Sequence, residues 1–234
     1  MILIQNINTA FESILNLIYP RICQGCGEYL ILHENHICTS CLYELPRTNF
    51  HTKEDNPVAR LFWGRTNIKR ASSFFYFNKG GKYQKLIHKF KYQGKKEIGY
   101  ELGRQYGFEL KSSKDYSEID IVIPVPLHHR KEKARGFNQS EVIAQGIADV
   151  LGIQMKKQSL TRIVESETQT RKSRYERWQN VNSIFKISKE HELEGKHILI
   201  VDDVVTTGST LEACANKILE VSNTSVSIVT LAVA

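Results

Sequence analysis

The chain has 234 residues, enough for one α/β domain of about 150–180 residues and a small added module. With 41% hydrophobic and 24% charged residues it is neither disordered nor fibrous, and no apolar run nears the roughly 18 residues that span a bilayer. The net charge of +7 is uneven: residues 1–46 carry one Arg against four Glu, 187–234 three Lys against seven acids, and the middle holds all the excess, which points to an anionic partner such as phosphates, nucleic acid or a membrane surface.

Met1-Ile2-Leu3-Ile4-Gln5-Asn6 has no basic start and is not read as a signal peptide, so a reducing cytoplasm is the expected compartment and no membrane insertion is expected. Residues 9–19 have helical spacing after the capping-box string Thr9-Ala10-Phe11-Glu12, and Pro20 ends that helix. Cys23-x2-Cys26-x11-Cys38-x2-Cys41 then has the spacing of a four-thiolate structural zinc site. His33 and His36 lie between the pairs and are read as surface residues rather than substitutes for a Cys; redox chemistry at Cys-x-x-Cys stays open, though two matched pairs favour metal. Residues 47–70 are polar and without period. The boundary is placed there, giving a module over 1–55 and a main domain over 71–234.

In that main domain, 74–77 reads as a strand and 78–81 as a turn, followed by helices over 82–92 and 97–110. Residues 79–96 hold seven Lys and no acid. Lys82, Lys85, Lys89 and Lys91 alternate with Tyr83, Phe90 and Tyr92, a pattern suited to single-stranded nucleic acid or equally to a helix with solvated lysines. Residues 119–125 form an apolar strand, and the proline-stiffened loop after it leads into Arg130, Lys131, Lys133 and Arg135. This loop would put cations where ligands bind, or would be a solvated basic loop. A helix over 140–151 follows, with Ser140 as a candidate N-cap. Residues 162–180, with Arg162, Gln169 and Arg177, read as a mobile lid or as an exposed helix with pairs such as Glu167–Arg171. Strands over 197–201 and 226–234 flank a helix over 209–221, on which Cys214 is core. Continuous apolar strands alternating with amphipathic helices make the expected fold α/β, with a parallel sheet covered on both faces.

The sharpest motif is Ile198-Leu199-Ile200-Val201-Asp202-Asp203, followed by Val204-Val205-Thr206-Thr207-Gly208-Ser209-Thr210. A buried strand ends in paired acids, and a hydroxyl-rich loop opens a helix. The acids suit sugar hydroxyls or waters on Mg2+, and the loop suits a phosphate dianion. A helix cap beside a solvated acidic turn would explain parts of this string, but not all thirteen residues together. The string resembles the phosphoribosyl pyrophosphate (PRPP) motif of type I phosphoribosyltransferases.

The double Cys-x-x-Cys, Leu45-Pro46, Pro124-Val125-Pro126, Arg135-Gly136-Phe137-Asn138-Gln139, Thr168-Gln169, Arg177-x-x-Asn180 and the PRPP motif come in order. This series resembles the ComF family, competence-associated proteins with a type I phosphoribosyltransferase-like fold. Ser166 stands where that family's pattern has Thr. The resemblance implies that Asp202 and Asp203 hold the ribose hydroxyls, with a role in catalysis. It implies that Thr206, Thr207, Gly208, Ser209 and Thr210 hold the 5′-phosphate, and that Arg130 and Arg135 with the lid residues face pyrophosphate. It also implies zinc on the four Cys, Mg2+ with PRPP, and a place in DNA uptake with single-stranded DNA and competence proteins as partners. Transfer of phosphoribosyl to a nitrogen base, with pyrophosphate release, is the expected activity. The alternatives are a non-catalytic module that senses PRPP and binds single-stranded DNA, or an amidophosphoribosyltransferase-like role; the sequence shows neither the N-terminal Cys nucleophile nor the glutaminase domain of the latter.

Overall fold

The structure, a computed structural model, describes residues 20–77, 80–163 and 184–234. The expected helix over 9–19, part of the expected turn, and Gln169 and Arg177 of the expected lid lie outside the described residues.

Five strands form one parallel sheet: β1 (Arg70–Tyr76), β2 (Ile121–Pro124), β3 (Gln154–Met155), β6 (His197–Val205) and β7 (Ser225–Val233). Their order is β1-β7-β6-β2-β3. Two short strands between them, β4 (Leu160–Arg162) and β5 (Phe185–Ile187), pair antiparallel outside this sheet. Central β6 is flanked on both edges and its first five residues are buried, which is why it reads as an unbroken apolar run.

Alternate strand residues build two cores. Leu199, Val201 and Val229 face α3 (Lys82–Tyr92), α4 (Lys96–Ser112) and α6 (Gln139–Leu151), together with Cys23, Cys38 and Cys41. Ile198, Ile200 and Ile228 face α7 (Ser209–Leu219) and the β4–β5 pair. Residues 47–70, which show no period, also supply this second core: Phe50, Val58 and Phe62 are buried there. Asn56 starts the short α2 (Pro57–Arg60); its Oδ1 accepts from Val58 N and Ala59 N, both at 3.0 Å, and its Nδ2 donates to Ala71 O at 2.9 Å.

Three local expectations change. The strand expected over 197–201 runs to Val205, because β7 continues to Val233 and supplies ladder partners for Asp202, Val204 and Val205. The cations after β2 stand on a short helix, α5 (His129–Arg135), rather than on a loop. Asn138, not Ser140, caps α6: its Oδ1 accepts from Ser140 N at 3.1 Å, and its Nδ2 donates to Val125 O at 3.0 Å.

Candidate functional site

The site grows from a mismatch in strand length. β2 ends at Pro124, opposite Val201, and proline has no N–H with which to extend the ladder. Past Val201, β6 keeps only β7 beside it, so Asp202 and Asp203 stand at an open carboxyl edge. Ser140, released from capping, donates to Asp202 Oδ1 at 2.7 Å, and Asp203 N donates to the same oxygen at 2.9 Å. Burial, and then the neighbouring Asp203 charge, push the Asp202 carboxyl up to about 7 despite those bonds. Asp203 turns the other way, and its Oδ2 accepts from Lys91 Nζ at 2.7 Å.

After Val205 the loop exposes Thr206, Thr207, Ser209 and Thr210 and buries Gly208. Gly208 has φ +75° and precedes the first residue of α7, the left-handed backbone that glycine adopts without strain. A Cβ there would lie 3.2 Å from the Phe62 ring, so the loop rests directly on the 47–70 segment. Arg65, from the same segment, pairs with Glu212 in the first turn of α7. Thr207 Oγ1 and Ser209 Oγ lie 3.1 Å apart. The exposed hydroxyls and the first N–H groups of α7 thus share one edge with the two acids, an arrangement that can take a phosphate and a diol together.

Arg135 ends α5, donates to Gln139 Oε1 at 2.9 Å, and holds its guanidinium 5.7 Å from the Tyr92 ring centre. Arg130 lies exposed on the same helix, and Arg162 on β4 stacks 5.6 Å from the Phe185 ring. The lysine stretch does not form one open patch. Lys82 pairs with Glu44 at 2.5 Å, Lys89 donates to Gln24 O at 2.8 Å, and Lys91 belongs to the acid pair. Lys85 and Tyr92 remain on the exposed side, with Tyr92 62% exposed and its ring 4.9 Å from that of His88. Lys91, Phe62 and Arg65 reach the site through the fold. Ser140 reaches it because Asn138, two residues before and a strong capping residue, takes the cap; that signal stands in the sequence.

The four cysteine sulfurs all lie within 4.8 Å of one another. Cys23 Sγ is 3.8 Å from Cys41 Sγ, and Cys26 Sγ is 3.7 Å from Cys38 Sγ. The N–H groups of Gly25 and Cys38 point at Cys23 Sγ from 3.3 and 3.2 Å. Burial would raise the Cys23 thiol, but backbone N–H donors bring it down to about 6, within reach of a thiolate ligand. Gly25 is required for space, since a Cβ would sit 2.9 Å from Cys41 Sγ. His33 is exposed, and neither it nor His36 joins the cluster. These four residues can hold a metal ion. Cys214 is fully buried on α7, away from them.

Residues 138–233 match the family described as the phosphoribosyl transferase domain. DNA utilization protein YhgH of Salmonella typhi is 35% identical over 137 residues, which are 57% of this chain and 60% of that protein. The chain therefore spans only 60% of the YhgH length. Competence protein ComFC of Bacillus subtilis is 29% identical over 202 residues, 86% of this chain and 78% of that protein. Among solved structures, glutamine PRPP amidotransferase from B. subtilis overlaps 60% of this chain and 30% of its own at 20% identity and a TM-score of 0.41. The purine phosphoribosyltransferase of Pyrococcus horikoshii overlaps 58% of this chain and 73% of its own at 20% identity and 0.39. A match to the phosphoribosyl transferase domain behind a four-cysteine cluster, with relatives that carry competence and DNA-utilization names, is what this chain shares with the ComF proteins it resembles.

Proposed function

We propose that this chain binds PRPP·Mg2+ at the carboxyl edge of its sheet and transfers the phosphoribosyl group to a nitrogen base, as part of DNA uptake. The observation that carries this reading is the continuous run from β6 through Asp202 and Asp203 into the exposed hydroxyls at the start of α7. In this reading Asp202 and Asp203 accept hydrogen bonds from the 2′- and 3′-hydroxyls. Thr206, Thr207, Gly208, Ser209 and Thr210 hold the 5′-phosphate. Arg130, Arg135, Arg162 and Arg177 neutralise pyrophosphate, with Gln169 a further residue of the lid, and Mg2+ arrives as part of the substrate.

The base nitrogen forms a bond to ribose C1 as the C1–O bond to pyrophosphate breaks. The bonding pair leaves on pyrophosphate, and the proton on nitrogen passes to solvent. Positive charge grows on the ribose ring in between, and a carboxylate beside the ring lowers the energy of that state. The residue of the pair held by Lys91, Asp203, is the one we assign to this role.

We assign zinc to Cys23, Cys26, Cys38 and Cys41. A tetrahedral site with Zn–S near 2.3 Å has sulfurs about 3.8 Å apart, and the two closest pairs are at 3.8 and 3.7 Å. Residues 1–55 are then a metal-stapled module and 71–234 the transferase domain, both in a reducing cytoplasm. Among the described residues no helix is long and apolar enough to cross a membrane.

The relatives' names speak of DNA utilization and competence, and we propose single-stranded DNA as a further partner, together with other DNA-uptake proteins. Of Lys82, Lys85, Lys89, Lys91 and Tyr92, it is Lys85 and Tyr92 that are exposed to meet DNA. Pyrophosphate release from PRPP, measured across a panel of nucleobases, tests the transferase reading. Turnover with one base supports it. No turnover with any base, while PRPP still raises the melting temperature, supports a PRPP-sensing module instead.

A further inference from the structure

Lys91 lies in the last turn of α3, and sequence spacing alone gives it to the solvated lysine stretch. The structure takes it elsewhere. Its Nζ sits 2.7 Å from Asp203 Oδ2, and the two side chains keep only 19% and 18% of their surface. A contact so shielded from water is stronger than a surface pair and costs more to break. The two acids at this edge therefore have different partners: Asp202 has Ser140 of α6 and the Asp203 amide, and Asp203 has a cation.

The helix that carries Lys91 is itself fixed to the cysteine module. Tyr83 OH donates to Cys41 O at 2.9 Å, Lys89 Nζ donates to Gln24 O at 2.8 Å, and Lys82 pairs with Glu44 at 2.5 Å. On the inner side, Phe90 is fully buried and packs 5.6 Å from the Phe137 ring, next to the Asn138 cap. Lys91 is thus held from both ends of α3. Asp202 on β6 lies beside Asp203, and Arg135 on α5 holds its guanidinium over the ring of Tyr92, the residue after Lys91.

We propose that Lys91 is a positioning residue of the sugar-binding site, pairing with the Asp203 carboxylate and keeping it aimed at the ribose, with α3 carrying that constraint from the cysteine module. This deepens the phosphoribosyl-transfer reading and rests on it. A neutral side chain at 91 would leave Asp203 without its cation and free to rotate, whereas arginine would restore the charge.

The test uses the full-length zinc-loaded protein, with PRPP·Mg2+ as the calorimetric probe. Lys91→Gln should weaken binding about tenfold or more, the scale of losing a charge-assisted bond, and Lys91→Arg should recover most of it. Lysine-selective NMR supplies a readout independent of the ligand: the Lys91 ammonium signal should shift on Asp203→Asn in the unliganded protein. Lys91→Gln binding within twofold of wild type, a failure of Lys91→Arg to recover binding, or an unmoved ammonium signal would each overturn the proposal. A wild-type protein that ignores PRPP while the ammonium signal still shifts would instead overturn the transferase reading and leave the contact standing.

Discussion

Asp202 has a folded-state carboxyl near 7 against an ordinary value of about 4, first because of burial and then because of Asp203. Its protonated form is therefore favoured in the folded chain. Its contribution to stability is fully present below the unfolded value and is lost as pH rises from about 4 to about 7. Asp202→Asn removes this loss, so its melting temperature should exceed wild type at pH 8, with the difference vanishing toward pH 4. A difference constant across that range in thermal melts would contradict the assignment. Gly208 is the opposite case, fixed by backbone rather than charge. Alanine there meets both a φ of +75° and the Phe62 ring 3.2 Å away, so Gly208→Ala should cost about 1–2 kcal/mol in urea unfolding and weaken PRPP binding. The strand leading into Asp202 and Asp203 and the helix start after the hydroxyl loop were legible, because a buried apolar run followed by acids, hydroxyls and one glycine marks that change of backbone. Lys91 was not legible, because one lysine among seven carries no mark of the side it faces.

At the scale of elements, α4 and α6 cross with their backbones almost touching. A Cβ on Gly103 would lie 2.4 Å from Ile143 O, and one on Gly146 would lie 2.3 Å from Tyr100 O. Alanine at either position gains about 1 kcal/mol of helix propensity but must push two backbones apart, and the second effect should dominate. Gly103→Ala and Gly146→Ala should therefore lower the urea midpoint, and a rise for either would show that the crossing is looser than described. This crossing matters for function because α6 brings Ser140 to Asp202. The helices and the apolar strands were legible from their periods, as over 82–92 and 139–151. The overrun of β6 through both acids was not, because it depends on where β2 and β7 end, and strand length is a property of the pairing. Residues 47–70 hid for a related reason: Phe50, Val58 and Phe62 are each buried, but on or beside helical turns too short to leave a repeat in the sequence.

Across the whole molecule the cysteine cluster and the sheet share one continuous core, with Cys23, Cys38 and Cys41 beside Phe74, Phe90 and Leu231. Metal binding in such a cluster contributes directly to folding stability. Elemental analysis should find one zinc per wild-type chain, and Cys23→Ser should abolish it and lower the melting temperature by about 10 °C or more. A zinc-free wild-type protein of undiminished stability would contradict a structural metal. Part of the charge excess between 47 and 186 is accounted for at this scale, since Lys82, Lys89 and Lys91 pair within the chain while Arg130 and Arg135 stand together on α5. That distribution fits a polyphosphate sugar better than an extended nucleic-acid track. Calorimetric titration of PRPP·Mg2+ into the wild-type protein and into Asp203→Asn tests this central claim most directly. One site per chain in the wild type and none in the variant is the expected result, and equal binding by both, or no heat from the wild type, would contradict it.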